Sequence, residues 1–373
     1  MTDRQNYIKS QRNYGIDTLR IVSMLMVVLL HVLKQGGILD SLIVFTLKYE
    51  VAWYLEIACL CAVNCYAIIS GYVGVYSKHK YSNLIMLWLR VLFYSILITV
   101  AFFIIAPATV GKTSTVSALF PTFTNQYWYF SSYVILFFLM PVLNSAFSIL
   151  SKRQLKWILV ITICTTSIIL PLFQTFFVDP FKLENGYSVL WLIIMYLLGG
   201  YIRKFGLFHS VKTWLLLVFY IVSVSLTWLS KLLIQLVTQW IFDEIKWNQM
   251  WVSYISITVV ASSVFLVLFF ERLKINQLGS RVVSFVAPLA FSVFLIHTHP
   301  LLFEFFKDCF SWVINYPIYV MIPLIIGFAL AIFIVCCFID LFREWLFKTI
   351  KLKDRLLKKE LQIINNGNKE KLS

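Results

Sequence analysis

Charge is scarce in this sequence: Asp, Glu, Lys and Arg make up 13% of its 373 residues, whereas 60% are hydrophobic. A water-soluble fold of this size cannot hide that much apolar surface, so the soluble classes are excluded and the chain is expected to sit in lipid. Acidic residues are scarcer still, 17 against 32 basic ones. Cysteine is present seven times, an odd total without a C-x-x-C pair. That pattern argues against a disulfide framework or a thiolate metal site, and the cysteines read as small apolar packing residues. No internal repeat, low-complexity tract or soluble module stands out, so the chemistry is expected within a helical bundle or at its two faces.

What the sequence has in excess is long apolar runs. A helix needs about 20 apolar residues to cross a bilayer. Such runs fall near 16–35, 51–74, 84–106, 127–149, 156–178, 187–202, 213–237, 252–270, 282–305 and 317–342. The expected fold is an all-α integral membrane protein, a polytopic bundle of about ten transmembrane helices. Most lysines and arginines lie in alternate connections and beyond the last run, which predicts that the N- and C-termini are both cytoplasmic. The net charge of +15 is thus a topology signal and calls for no nucleic acid. Residues 1–347 read as the membrane domain, and 348–373 as a basic cytoplasmic tail, partly disordered or lying against anionic lipid. The first run is too long for the apolar region of a signal peptide, so it is expected to stay in the mature protein.

Ionisable groups inside apolar runs are costly and mark candidate sites. In "GIDTLRIVSMLMVVLLH", Arg20 and His31 are eleven residues apart. On a helix they share a face, about 20° apart in direction and about 16 Å apart along the axis. Asp17, one turn before Arg20, can pair with it. The blander alternatives are an arginine snorkelling to lipid phosphates and a histidine that only links helices. His297, in "FSVFLIHTHPLLFE", lies at a depth similar to His31, and two histidines at one depth suggest a site. Ser70 and Gly71 end the second run at the level of Arg20, where glycine allows close approach to a ligand or simply to another helix. Trp128 and Tyr129 open the fourth run, as interfacial anchors or as flat faces for a sugar ring. Arg90, within the third run, either assists at the Arg20 end or pairs with another helix. Asp179, Glu184, Asp243, Trp247 and Trp251 lie in outer loops that could touch sugar.

Taken together, these segments resemble the membrane-bound acyltransferase-3 family. The resemblance rests on Arg20 and His31 with ten residues between them, on "ISGY" closing the second run, on the stretch from Trp128 to Pro141, on "LLGGYIRK", and on "FLIH" at His297. It covers nearly the whole chain. Two departures concern the donor end: Lys78, Lys80 and Arg90 stand where many relatives have a richer basic cluster, and Asn64 replaces a proline. The resemblance implies ten transmembrane helices and transfer of an acyl group, usually acetyl, from cytoplasmic acyl-CoA to a carbohydrate.

That implication meets the residues directly. Arginine suits the phosphates of a coenzyme A donor, and a long pantetheine arm spans the separation between Arg20 and His31. The expected donor-binding residues are Arg20, Arg90, Ser70 and Gly71; the catalytic set is His31, Arg20 and Asp17; and His297, Trp128 and Tyr129 hold the acceptor. His31 acts either as a general base or through an acyl-histidine. Acetyl-CoA is a co-substrate, with no bound cofactor expected, and the acceptor is a lipid-linked or exported polysaccharide such as capsule, modified at a bacterial-type plasma membrane. The competing expectations are a polysaccharide or lipid-linked sugar transporter and a non-catalytic subunit of an export complex.

Overall fold

The structure, a computed structural model, describes residues 12–370. It is a bundle of helices, with no strand among the described residues. The main helices are α1 (Tyr14–Leu33), α2 (Leu47–Gly74), α3 (Tyr81–Ile105), α4 (Trp128–Ile149), α5 (Lys152–Gln174), α6 (Val189–Phe205), α7 (Thr213–Phe242), α8 (Ile257–Arg272), α9 (Gln277–His297), α10 (Ile318–Thr349) and α11 (Leu352–Glu370). Eight stretches among the described residues are long and apolar enough to cross a membrane. The other two expected spans are α6 and α8, helices of 17 and 16 residues, too short to qualify by length. The outward faces of α3, α4, α7 and α10 carry exposed Phe103, Ile149, Trp240 and Tyr319, an apolar surface that suits lipid rather than water.

Helix α2 is the hub, packed against α1, α6, α7 and α8. Its contact with α6 depends on two glycines. A Cβ on Gly71 would overlap the Tyr196 carbonyl, and one on Gly199 would overlap the Ile68 carbonyl, so the two backbones touch where side chains would hold them apart. Gly71 therefore serves the packing of α2 on α6, the alternative that the sequence left open beside donor contact.

Both ends of α1 are tied down. Asn13 caps the start, its side chain accepting from Ile16 N at 3.1 Å and donating to the Glu271 carbonyl at 2.9 Å. At the other end the chain turns through Gly37 (φ +79°), and the amides of Asp308 and Phe310 donate to the carbonyls of Gln35 and Gly36. Two apolar cores result, and Met26, Trp128, Tyr129 and Tyr220 border both of them.

Within the basic tail expected over 348–373, residues 352–370 form helix α11, because Leu352, Leu356 and Leu357 recur at helical spacing and turn inward while Lys353, Arg355, Lys358 and Lys359 face out; residues 371–373 lie outside the described residues. Glu360 accepts from the Tyr81 amide at 2.7 Å, which docks α11 on the start of α3.

If the α2–α6 approach sets the bundle, Gly71→Val should destabilise the protein by about 1–3 kcal/mol through overpacking. Gly327→Ala, where a Cβ meets nothing within 4 Å, should leave it unchanged. Thermal unfolding in detergent reads the difference.

Candidate active site

The face shared by Arg20 and His31 looks onto a series of four cavities. At the start of α1 is a cleft of about 420 Å³ bordered by Arg12, Asp17, Arg20, Tyr72 and Arg203. Arg20 also borders a middle cavity of about 280 Å³, together with Tyr66, Ser70, Tyr129 and Tyr133. Tyr66, Tyr129 and Phe291 continue from there into a throat of about 70 Å³, which is lined with Trp128 and reaches His31. His31, Leu30, Tyr187 and Tyr254 carry the series into a wide cavity of about 450 Å³. The stations that the sequence places about 16 Å apart on one helix face are thus the two ends of a line of cavities.

At the Arg20 end, Asp17 is 4% exposed and holds two arginines at once: Arg12 Nε donates to Oδ2 and Arg20 Nη1 to Oδ1, each at 2.5 Å. One buried carboxylate thereby orders two guanidinium groups, which offsets the cost of bringing them to a cleft in the membrane interface. Arg203 joins from α6, its Nη1 donating to Tyr72 Oη at 2.8 Å, and Tyr72 Oη donates to Glu271 Oε1 at 2.9 Å. Three arginines stand here against two carboxylates, Asp17 and Glu271, so the basic groups are in excess, and guanidinium geometry suits phosphate. Tyr66 Oη donates to the Arg20 carbonyl at 2.6 Å, fixing α2 to α1 at the entrance to the middle cavity.

At the other end the two histidines meet. His297 Nδ1 lies 2.6 Å from the Val293 carbonyl, which can only accept, so the network assigns the proton to Nδ1 and leaves His297 Nε2 as an acceptor. His31 Nδ1 lies 2.9 Å from that Nε2 and therefore donates to it. In the neutral form of His31 this leaves the lone pair on Nε2, which makes no hydrogen bond among the described residues. The ring is held edge-on against Phe303 at 5.1 Å, and Gln35 Nε2 donates to the Phe303 carbonyl at 2.9 Å. A hydrogen-bonded imidazole with one nitrogen anchored and the other free is the arrangement a general base needs.

The sequence-derived site is rearranged in several respects. Asp17, Arg20 and His31 lie along one series of cavities, and Ser70 borders its middle. His297, expected to hold acceptor, stands behind His31 as its hydrogen-bond partner. Trp128 and Tyr129, also assigned to acceptor, line the throat between the two stations, because α4 packs on α6 and its first turn meets Tyr66 of α2 and Tyr187. Arg90 borders none of these cavities; its Nη1 donates to the Pro288 carbonyl at 2.9 Å, the interhelical alternative. Among the outer-loop residues, Asp179 accepts from the amides of Phe181 and Glu184 and so shapes its own turn, while Asp243 binds Gln239 and Trp247 packs on Phe176 and Phe242. The same loops instead send Asn185, Tyr187, Gln249 and Ser253 to the wide cavity. Glu56 and Arg203 belong to the site as well. Glu56 carries a visible signal, an acid within an apolar run, whereas Arg203 resembles any basic residue closing a span.

The family described as an acyltransferase domain, acyltransferase-3, matches residues 13–343. The chain belongs to this family. The match takes in α1 to α9 whole and α10 as far as residue 343, and with them both ends of the cavity series apart from Arg12. No curated protein and no solved structure matches the chain. The protein is therefore a membrane acyltransferase by family.

Because His297 sets the tautomer of His31, His297→Leu should slow acyl transfer by roughly 10–100-fold, the scale seen when a partner that orients a histidine is lost. His297→Gln, which keeps an acceptor oxygen, should restore part of the rate; initial rates of the two variants separate positioning from packing.

Proposed function

We propose that the protein is an O-acyltransferase that moves an acetyl group from acetyl-CoA to a hydroxyl of a cell-surface or lipid-linked polysaccharide. The observation that carries this reading is the line of cavities from an arginine-lined cleft to the free Nε2 of His31. Coenzyme A is long and ends in phosphates on one side and a thioester on the other. Its phosphates match Arg12, Arg20 and Arg203, its flexible arm matches the middle cavity, and the narrow aromatic throat matches a slender thioester end. The distribution of basic residues supports placing the cleft at the cytoplasmic face of a bacterial plasma membrane, where acetyl-CoA is made, with the wide cavity opening on the other side.

In this reading the acceptor hydroxyl enters the wide cavity and comes within reach of His31 Nε2. As its oxygen attacks the thioester carbon, Nε2 takes the hydroxyl proton. Collapse of the tetrahedral intermediate breaks the carbon–sulfur bond, and the imidazolium returns the proton to the departing thiolate. The products are the acetyl ester and coenzyme A. Through His31 Nδ1–H and His297 the Val293 carbonyl stabilises the transient positive ring. Trp128, Tyr129 and Phe291 exclude water from the thioester, which protects the donor from hydrolysis.

Purified protein in nanodiscs, given radiolabelled acetyl-CoA and lipid-linked glycan, should move label to glycan. His31→Ala should lose about 10²–10⁴-fold of that rate, the usual scale of general-base help. Arg20→Ala should instead raise the apparent KM for acetyl-CoA by roughly ten-fold or more, as for loss of a charge-assisted hydrogen bond. Label reaching glycan equally with wild type and His31→Ala would overturn the mechanism.

A further inference from the structure

The wide cavity beside His31 contains an unexplained acid. Glu56 of α2 borders the cavity and is 6% exposed, and its Oε2 has no hydrogen-bond partner among the described residues. One turn earlier on the same helix, Trp53 borders the same cavity, and its indole N–H is also without a partner. An acceptor and a donor left unsatisfied three residues apart on one helix are costly in isolation and complementary to a ligand that both donates and accepts.

Trp53 is held firmly. The Lys231 ammonium, fully buried, lies 4.9 Å from its ring centroid and 4.4 Å from that of Tyr49. Lys231 is fixed in turn by Gln235 Oε1 at 2.9 Å and by Glu50 Oε2 at 3.8 Å. This cluster lies outside the cavity lining except for Trp53, so its effect on the cavity is to hold the indole in place. Besides His31, Tyr187 and Tyr254, the polar lining has the neutral groups of Gln35, Asn185, Gln249 and Ser253, with Lys34 as the one lysine or arginine against Glu56. A rigid aromatic ring, a partnerless carboxyl group and several amides suit a neutral, hydroxyl-rich ring better than an anion. The electron-rich face of an aromatic ring attracts the positively polarised C–H hydrogens of a pyranose, while a carboxyl group exchanges hydrogen bonds with its hydroxyls.

We propose that Trp53 and Glu56 form a pyranose subsite, with Trp53 as the platform for a neutral sugar ring and Glu56 accepting from a hydroxyl other than the one acylated. The subsite deepens the acyl-transfer reading and takes its meaning as an acceptor site from that reading, so its test is read without catalysis. Methyl β-D-glucopyranoside is the probe, and cyclohexylmethanol is the ring lacking adjacent hydroxyls. Saturation-transfer NMR on protein in nanodiscs should show the glycoside bound, with cyclohexylmethanol failing to compete. Glu56→Gln should weaken the glycoside by roughly ten-fold. Trp53→Leu should abolish its signal and Trp53→Phe should retain it, which guards against a variant that has merely misfolded. Binding equal in wild type, Glu56→Gln and Trp53→Leu, or no binding by wild type, would overturn the subsite. Transfer of label from acetyl-CoA to the same glycoside is measured in parallel: residue-dependent binding without transfer upholds the subsite and counts against the acyl-transfer reading.

Discussion

The hydrogen bond between His31 and His297 is the interaction on which the rest of the site depends. It joins α1 to α9 at mid-bundle, and its direction is dictated by a backbone carbonyl that cannot donate. Once Val293 fixes the His297 proton, the proton on His31 follows, and one imidazole nitrogen is left free at the boundary of the throat and the wide cavity. Without that partner the His31 ring could turn or change tautomer, and a donor arm reaching it through the cavities would meet no base. The caps on α1 serve the same end. Asn13 and the turn at Gly37 fix the helix at its two extremes, so that Arg20 and His31 keep their separation and their common face.

A second theme is the use of buried charge to order side chains rather than to add stability. Asp17 holds Arg12 and Arg20 together, and Lys231 holds Trp53; a comparable pair, Asp340 with Arg343, ties α10 near Tyr94, whose Oη donates to Asp340 Oδ1 at 2.7 Å. Buried pairs of this kind contribute little net free energy against well-packed apolar residues, and breaking one is costly. Asp17 stands at one end of the cavity series and Lys231 behind Trp53 at the other, placements that fit a role in geometry, whereas Asp340 and Arg343 border none of the four cavities.

Much of the fold was legible in the sequence because the bilayer demands long apolar helices, and periodicity at Arg20 and His31 needs only the geometry of one helix. What the sequence concealed was relation between helices. His297 could be assigned a depth but not a partner, so it was read as a ligand of the acceptor rather than of His31. Trp128 and Tyr129 have the composition of interfacial anchors, and only the packing of α4 on α6, with Tyr129 against Tyr66 of α2, makes them a throat. Gly71 satisfies a motif, yet its absent side chain is required by the Tyr196 carbonyl on α6. In the tail, the leucine spacing that makes α11 amphipathic is masked by the surrounding charge.

The most direct test of the account is a structure of the protein with a non-hydrolysable acetyl-CoA analogue. The account predicts the phosphates among Arg12, Arg20 and Arg203, the pantetheine arm through the middle cavity, and the acetyl group at the throat beside His31 Nε2. An analogue that left the arginine cleft empty, or whose acetyl group lay away from His31, would contradict it.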